Sequence, residues 1–306
     1  MRRVLLWMAA NGWLRRHLPR LWFARRAVRR FMPGEDAAAA LAAGETFARD
    51  GIVPIYTRLG ENIADAAEAD VSATEYLELI DRMAAAGSGG EVSVKLTQLG
   101  FDLDVERTVG HLERLAERAA KAGADVWLDI EGSAYTEATI AVYERLHARY
   151  PNTGICLQAY LRRTAADIQR LLPLEPGIRL VKGAYAEPAT IAYQARPEVD
   201  ANYVALAVEL LAAMAAGRRV RLGLGTHDVR LVEQIAEHGA ALGVARSGFE
   251  VQMLYGIRAG EQRRLAANGF VVRTLIAYGP AWYPWYMRRL AERPANVLFA
   301  LRQALP

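Results

Sequence analysis

Residues 92–130 read VSVKLTQLGFDLDVERTVGHLERLAERAAKAGADVWLDI, and this stretch decides the fold. Val92–Thr97 is a short run rich in β-branched and apolar residues. Val105–Ala122 is an amphipathic helical stretch, and Asp125–Ile130 is a second apolar run. Strand, helix and strand in this order build a parallel pair joined by a crossover helix.

The same rhythm extends in both directions. Strand-like runs stand at Gly51–Arg58, Val92–Thr97, Asp125–Ile130, Gly154–Ala159, Ile178–Lys182, Val220–Gly225, Phe249–Leu254 and Phe270–Ile276. Helical stretches between them include Thr136–Arg149, Ala165–Leu172, Ala201–Gly217, Arg230–Gly239 and Gly260–Asn268. Eight such units predict an α/β fold closed into a (β/α)8 barrel. An open doubly wound sheet would carry a glycine-rich phosphate turn after its first strand. Gly223 and Gly225 lack the third glycine and fall at the sixth run, so that reading is rejected. Residues 1–50 read as an N-terminal helical arm and 51–306 as the catalytic barrel. Pro33-Gly34 interrupts the arm before the Ala-rich helix Ala37–Arg49.

Polar residues gather at one end of the runs: Lys95 and Thr97, Asp129 and Glu131, Gln158 and Tyr160, Lys182, Gly183 and Tyr185, Thr226, His227 and Asp228, Gln252 and Tyr255. In a barrel these ends converge on the face that holds active sites. Lys95 and Asp129 lie on neighbouring strands, which makes an ion pair between them plausible, since an inward carboxylate needs a partner. Lys95 also suits a Schiff base. Gly183 permits close backbone approach, and Arg179 and Lys182 add positive charge near it, a combination suited to a phosphate or an electron-rich ring. His227 stands without a second histidine at metal-ligand spacing, so a cofactor hydrogen bond suits it better than a metal. Arg288-Arg289 lies in the helical stretch Trp282–Arg293. The pair reads either as a guanidinium fork for a carboxylate or as a solvated basic turn, and residues alone leave both open.

Bulk properties bound the rest. The chain has 306 residues, 53% hydrophobic and 24% charged, with Cys156 as its one cysteine, which excludes a disulfide framework or a cysteine-based zinc site. The net charge is +4, yet residues 1–30 hold nine arginines and no acid, which leaves −5 for the remainder. Attraction for anionic surfaces therefore belongs to the arm and not to the body. No apolar run reaches the ~18 residues of a membrane span.

Six ordered segments together resemble the proline dehydrogenase family of monofunctional bacterial type. They are Val92–Gly100, Leu157–Arg162, Arg179–Tyr185, Thr226–Asp228, Gln252–Gly256 and Trp282–Arg293 with its Arg-Arg pair. The resemblance spans the chain from about Phe31 onward. It implies a distorted (β/α)8 barrel that binds FAD non-covalently, with a final helix covering the substrate. It further implies oxidation of L-proline to Δ1-pyrroline-5-carboxylate, with electrons passed to a quinone. Arg288, Arg289 and Lys95 would hold the substrate carboxylate, with Asp129 supporting that cluster. Tyr185, Leu254 and Leu275 would line the ring. Gln158, Arg179, Lys182, Gly183, Ala184, Arg196, Thr226, His227, Gln252 and Glu292 would contact FAD.

The sequence departs from the family pattern at three positions. Leu275 and Trp285 stand where tyrosine is common, and Arg196 where lysine is usual. Leu275 opens the alternative of a 4-hydroxyproline or N-substituted proline substrate, although an apolar side chain gives a hydroxyl no partner. The arm reads either as padding for the barrel or as a peripheral anchor, with arginines on lipid headgroups and Trp13 and Trp22 at the interface. The expected location is cytoplasmic, with contact at the inner membrane face, and no nucleic-acid partner. From a different class, a Schiff-base barrel aldolase using Lys95 or Lys182 remains the alternative enzyme, and a non-catalytic barrel with a lipid-binding arm is the third reading.

Overall fold

A computed structural model of the chain describes residues 7–8, 11–18, 21–22, 28–87 and 89–292, of which 15, 16, 284, 288, 289, 291 and 292 are described in backbone only. The eight strands are β1 (Val53–Arg58), β2 (Glu91–Val94), β3 (Val126–Leu128), β4 (Thr153–Gln158), β5 (Gly177–Val181), β6 (Arg221–Gly225), β7 (Glu250–Leu254) and β8 (Val271–Tyr278). All pair in parallel in sequence order, and β8 closes on β1, with Ile55 opposite both Glu91 and Leu275. The barrel expected from the eight-fold rhythm is the observed fold.

Besides a short helix at Gly12–His17, the helices are α1 (Ala37–Ala48), α2 (Ala66–Ala86), α3 (Val105–Lys121), α4 (Thr136–His147), α5 (Thr164–Leu171), α6 (Arg196–Ala215), α7 (Val229–Ala241), α8 (Ala259–Ala267) and α9 (Trp282–Glu292). Aspartates start three of them. Asp36, Asp65 and Asp104 accept hydrogen bonds from the backbone N–H of Ala39, Ala67 and Arg107 and so satisfy first-turn donors.

Strand alternation splits the barrel into two environments. Val92, Val94, Val126, Leu128, Ile155, Leu157, Ile178, Leu180, Leu222, Leu224, Val251 and Met253 join the helices in one continuous apolar cluster. These are the outward positions. The inward set (Glu91, Ser93, Trp127, Arg179, Arg221, Glu250, Gln252 and Arg273) is largely polar, and its members reach across the barrel. Arg179 on β5 bonds Ser93 on β2, a strand that is not its neighbour.

A second cluster contains Val28, Phe31, Met32, Leu59 and Ala277 together with Trp282, Tyr283, Tyr286, Met287 and Leu290. The α9 members recur at one helical stripe. The cluster ties α9 to the C-terminal ends of β1 and β8, the end of the barrel where sites form. Strand boundaries differ from the sequence expectation at one instructive point. β2 stops at Val94, and Thr97–Leu99 forms a 3₁₀ turn, because Lys95 and Thr97 bond to the β3 end instead of continuing the ladder.

Candidate functional site

The barrel mouth holds a charged cluster built from four strands. The Lys95 ammonium lies 3.3 Å from Asp129 Oδ2. Asp129 Oδ1 accepts from Ser93 Oγ at 2.8 Å and from Arg179 Nη1 at 2.7 Å. Arg179 Nη1 also donates to Ser93 Oγ at 2.8 Å, and its Nε donates to Gln252 Oε1 at 2.6 Å. The guanidinium carbon sits 4.6 Å from the centre of the Trp127 ring. Arg179 is 4% exposed. A cation so buried costs several kcal/mol unless it is fully compensated, and these contacts are its compensation.

Electrostatics hold the pair ionised. Burial alone would push the Asp129 carboxyl up, but Lys95, Arg179 and the Ser93 bond hold it below the usual carboxylate range. Burial would push the Lys95 ammonium down, yet Asp129, with Tyr185, Tyr76 and Glu131 behind it, holds it above the usual lysine range. A Schiff-base lysine needs a lowered pKa to attack as the neutral amine. Lys95 is shifted the other way, which weighs against the aldolase alternative.

Arg179 Nη2, a donor, and Gln158 Oε1, an acceptor, are among the buried polar atoms that have no hydrogen-bond partner among the described residues. Gln158 is the last residue of β4 and 2% exposed. Buried groups of this kind are normally satisfied, so the pair marks a place where a ligand with complementary edges would bind.

A second polar group forms beyond β5 and β6. Lys182 pairs with Asp200 and lies 3.6 Å from Asp228, while Arg196 reaches Asp228 at 3.3 Å and Asp200 at 3.6 Å. Thr226 Oγ1 accepts from the Asp228 N–H at 3.1 Å. Arg179 and Lys182, three residues apart, thus join different ion-pair groups. Directly after Lys182 the chain turns at Gly183, whose φ is +114°. A Cβ there would lie 2.3 Å from the Tyr160 ring, so only glycine fits. Ala184 follows, exposed, and Tyr185 is half-buried.

His227 Nε2 accepts from the Leu254 N–H at 3.4 Å, linking the ends of β6 and β7. Leu254 and Leu275 are paired side by side on the adjacent strands β7 and β8, both half-buried. The side chains of Arg288, Arg289 and Glu292 lie outside the described residues.

Sequence reasoning passed over Ser93, Trp127 and Glu250. Each sits two residues before a residue it did single out, namely Lys95, Asp129 and Gln252. The period-2 rule of strands places them on the same inward face, and that signal was available.

A family model described as proline dehydrogenase matches residues 40–302. Proline dehydrogenase 1 of Bacillus subtilis (strain 168) is 33% identical over 310 residues, covering 100% of this chain and 99% of the relative. The proline dehydrogenase of Deinococcus radiodurans is 36% identical over 281 residues, covering 90% and 89%. Among solved structures, proline utilization A from Bdellovibrio bacteriovorus inactivated by N-propargylglycine superposes with a TM-score of 0.81 at 21% identity, a likeness of fold. It covers 95% of this chain and 38% of that one. A mutant of Bradyrhizobium japonicum proline utilization A gives 0.76 at 25% identity, covering 92% and 32%. The chain therefore spans about a third of the length of these solved proteins.

Proposed function

The chain belongs to the proline dehydrogenase family, and from that premise we propose that it oxidises L-proline to Δ1-pyrroline-5-carboxylate with FAD, the electrons passing on to a quinone. The observation that carries the reading is the Lys95–Asp129–Arg179 cluster with its open Arg179 Nη2. FAD, when bound, would supply the hydride-accepting chemistry.

The residues present suit that cofactor. A flavin ring edge offers both acceptors and an N–H donor, which match the unpartnered Arg179 Nη2 and Gln158 Oε1. Gly183, where a Cβ would strike the Tyr160 ring, turns the chain just past the end of β5. Gln158, Arg179, Lys182, Gly183, Ala184, Arg196, Thr226, His227, Gln252 and Glu292 are the proposed FAD contacts.

Lys95, with Arg288 and Arg289, binds the substrate carboxylate and so fixes the ring in place, and orientation of this kind supplies much of an enzyme's rate. The same three cations disfavour the substrate ammonium and promote loss of its proton. Asp129 keeps Lys95 charged and in position. Tyr185, Leu254 and Leu275 line the ring. The paired Leu254 and Leu275 offer a 4-hydroxyl no hydrogen-bond partner, which favours proline over 4-hydroxyproline.

The arm adds a second element to the reading. Among the described residues no helix is long and apolar enough to cross a membrane. Trp7, Trp13 and Trp22 are each more than 60% exposed, and with the nine arginines they suit peripheral contact with an anionic membrane that holds quinone. Deleting residues 1–30 should abolish co-sedimentation with anionic liposomes, and unchanged co-sedimentation would remove this element.

The purified protein should be yellow and bleach anaerobically with L-proline, and more slowly with trans-4-hydroxy-L-proline. A colourless protein, or a yellow one unaffected by proline, would overturn the proposal.

A further inference from the structure

The interior of the barrel contains a continuous hydrogen-bonded path from its floor to its mouth. Arg221 on β6 and Arg273 on β8 hold the Glu250 carboxylate. Arg221 Nε donates to Oε1 at 2.8 Å, while Arg221 Nη2 and Arg273 Nε donate to Oε2 at 3.1 and 2.7 Å. Glu250 Oε2 also accepts from Gln252 Nε2 at 2.8 Å. Gln252 Oε1 then accepts from Arg179 Nε at 2.6 Å, and Arg179 Nη1 donates to Ser93 and Asp129.

A glutamine amide has two faces, one donating and one accepting, and it turns over unless its neighbours forbid it. When ionised, Glu250 can only accept. Burial would raise its carboxyl, but Arg221 and Arg273 hold it below the usual range. The NH2 of Gln252 must therefore face Glu250, and its carbonyl must face Arg179. Gly223 on β6 leaves room for this amide, since a Cβ there would lie 2.5 Å from Gln252 Nε2.

We infer that Glu250 is a positioning residue, which orients the Gln252 amide so that Arg179 is held with Nε and Nη1 occupied and Nη2 open toward the site. Glu250 touches neither substrate nor cofactor. It acts through Gln252, and the inference rests on the proposed function only in naming what meets Nη2.

The test compares Glu250→Leu with Glu250→Gln in the full-length protein. Leucine removes the acceptor, and glutamine keeps a carbonyl without the charge. Both should lower the melting temperature. In crystal structures, the Arg179 Nε–Gln252 Oε1 contact should be lost in Glu250→Leu and kept in Glu250→Gln. Anaerobic reduction of bound flavin by proline should slow at least tenfold in the leucine variant and recover to within about threefold in the glutamine variant. In a Gln252→Leu background, adding Glu250→Leu should slow it no further, because the path is already cut.

An Arg179 contact intact in Glu250→Leu overturns the inference, as does a Glu250→Gln variant whose Arg179 contact is lost or whose flavin reduction is slowed as much as in Glu250→Leu. The glutamine arm decides the matter should the leucine variant not fold. The crystallographic arm does not depend on flavin or proline, so failure of the wild-type protein to bleach counts against the proposed reaction alone.

Discussion

The floor and the mouth of the barrel are both built from buried arginines and carboxylates, and they differ in whether their valences are filled. At the floor Arg221 bonds Glu91 at 2.5 Å, Glu250 at 2.8 Å and Asp125, while Arg273 bonds Glu91 at 3.1 Å and Glu250 at 2.7 Å. Trp127 Nε1 donates to Glu91 at 2.7 Å. Among the described residues, no buried side-chain atom of Glu91, Arg221, Glu250 or Arg273 lacks a partner. At the mouth Arg179 Nη2 and Gln158 Oε1 are left over. The Trp127 ring lies close to both, with Arg221 4.8 Å and Arg179 4.6 Å from its centre. A saturated network holds structure together, whereas one with unfilled valences is prepared for a ligand.

The largest effect that would sharpen this comparison is expected at the floor. Arg221→Met leaves Glu91, Asp125 and Glu250 short of a cation and should cost about 3–5 kcal/mol of stability, read from urea denaturation. The proline KM of whatever folds should stay within about twofold. A large KM change with intact stability would erase the distinction between floor and mouth.

At the mouth the balance should reverse. Lys95→Met leaves Asp129 still bonded to Arg179 and Ser93. Stability should fall by only ~1 kcal/mol, while the proline KM should rise at least tenfold with flavin content unchanged. Isothermal titration with a proline analogue would check the binding arm.

Acid titration should separate the two regions by sign. The Asp125 carboxyl at the floor is pushed up to about 6, since burial, with Glu91 and Glu250 beside it, outweighs its Arg221 partner. The folded chain then binds more protons than the unfolded one between about pH 4 and 6, so stability falls as pH rises through that window. With the side chain 35% exposed, solvent screens much of the shift, and a slope of about 1 kcal/mol is expected. Asp129 at the mouth is held below its usual value. Its contribution is therefore fully present above about pH 4 and is lost as pH falls further. Asp125→Asn should flatten the upper limb and Asp129→Asn the lower one in denaturation curves taken from pH 3 to 7.

The smallest effect is expected at the ring pocket. Leu275→Ser supplies a hydroxyl opposite Leu254. It should raise the ratio of kcat/KM for trans-4-hydroxy-L-proline over L-proline several-fold, about 1 kcal/mol. An unchanged ratio would move Leu275 out of the pocket.

Much of the site was readable beforehand because strands converge. Once eight strand–helix units are counted, their C-terminal ends must meet, and the candidates Lys95, Asp129, Gln158 and Gln252 follow from position, whereas Arg179 stands out only through the charge it adds near Gly183. The Lys95–Asp129 pair was expected from adjacency and is present at 3.3 Å. The separation of Arg179 from Lys182 was not expected. It depends on which way each side chain points, and at β5 the inward and outward faces lie only one residue apart.

The sequence by itself determined the barrel, the order of its strands and the end at which the polar strand-end residues gather, because hydrophobic periodicity and chain order suffice to specify them. Only the tertiary structure decided which charges are spent on one another and which atoms stay open. Arg221, Arg273 and Arg179 all occupy inward strand positions and look alike in the chain. Their partners come from strands distant in sequence, such as Glu91 to Arg221 and Ser93 to Arg179, and closure of the barrel alone brings those groups within hydrogen-bonding distance.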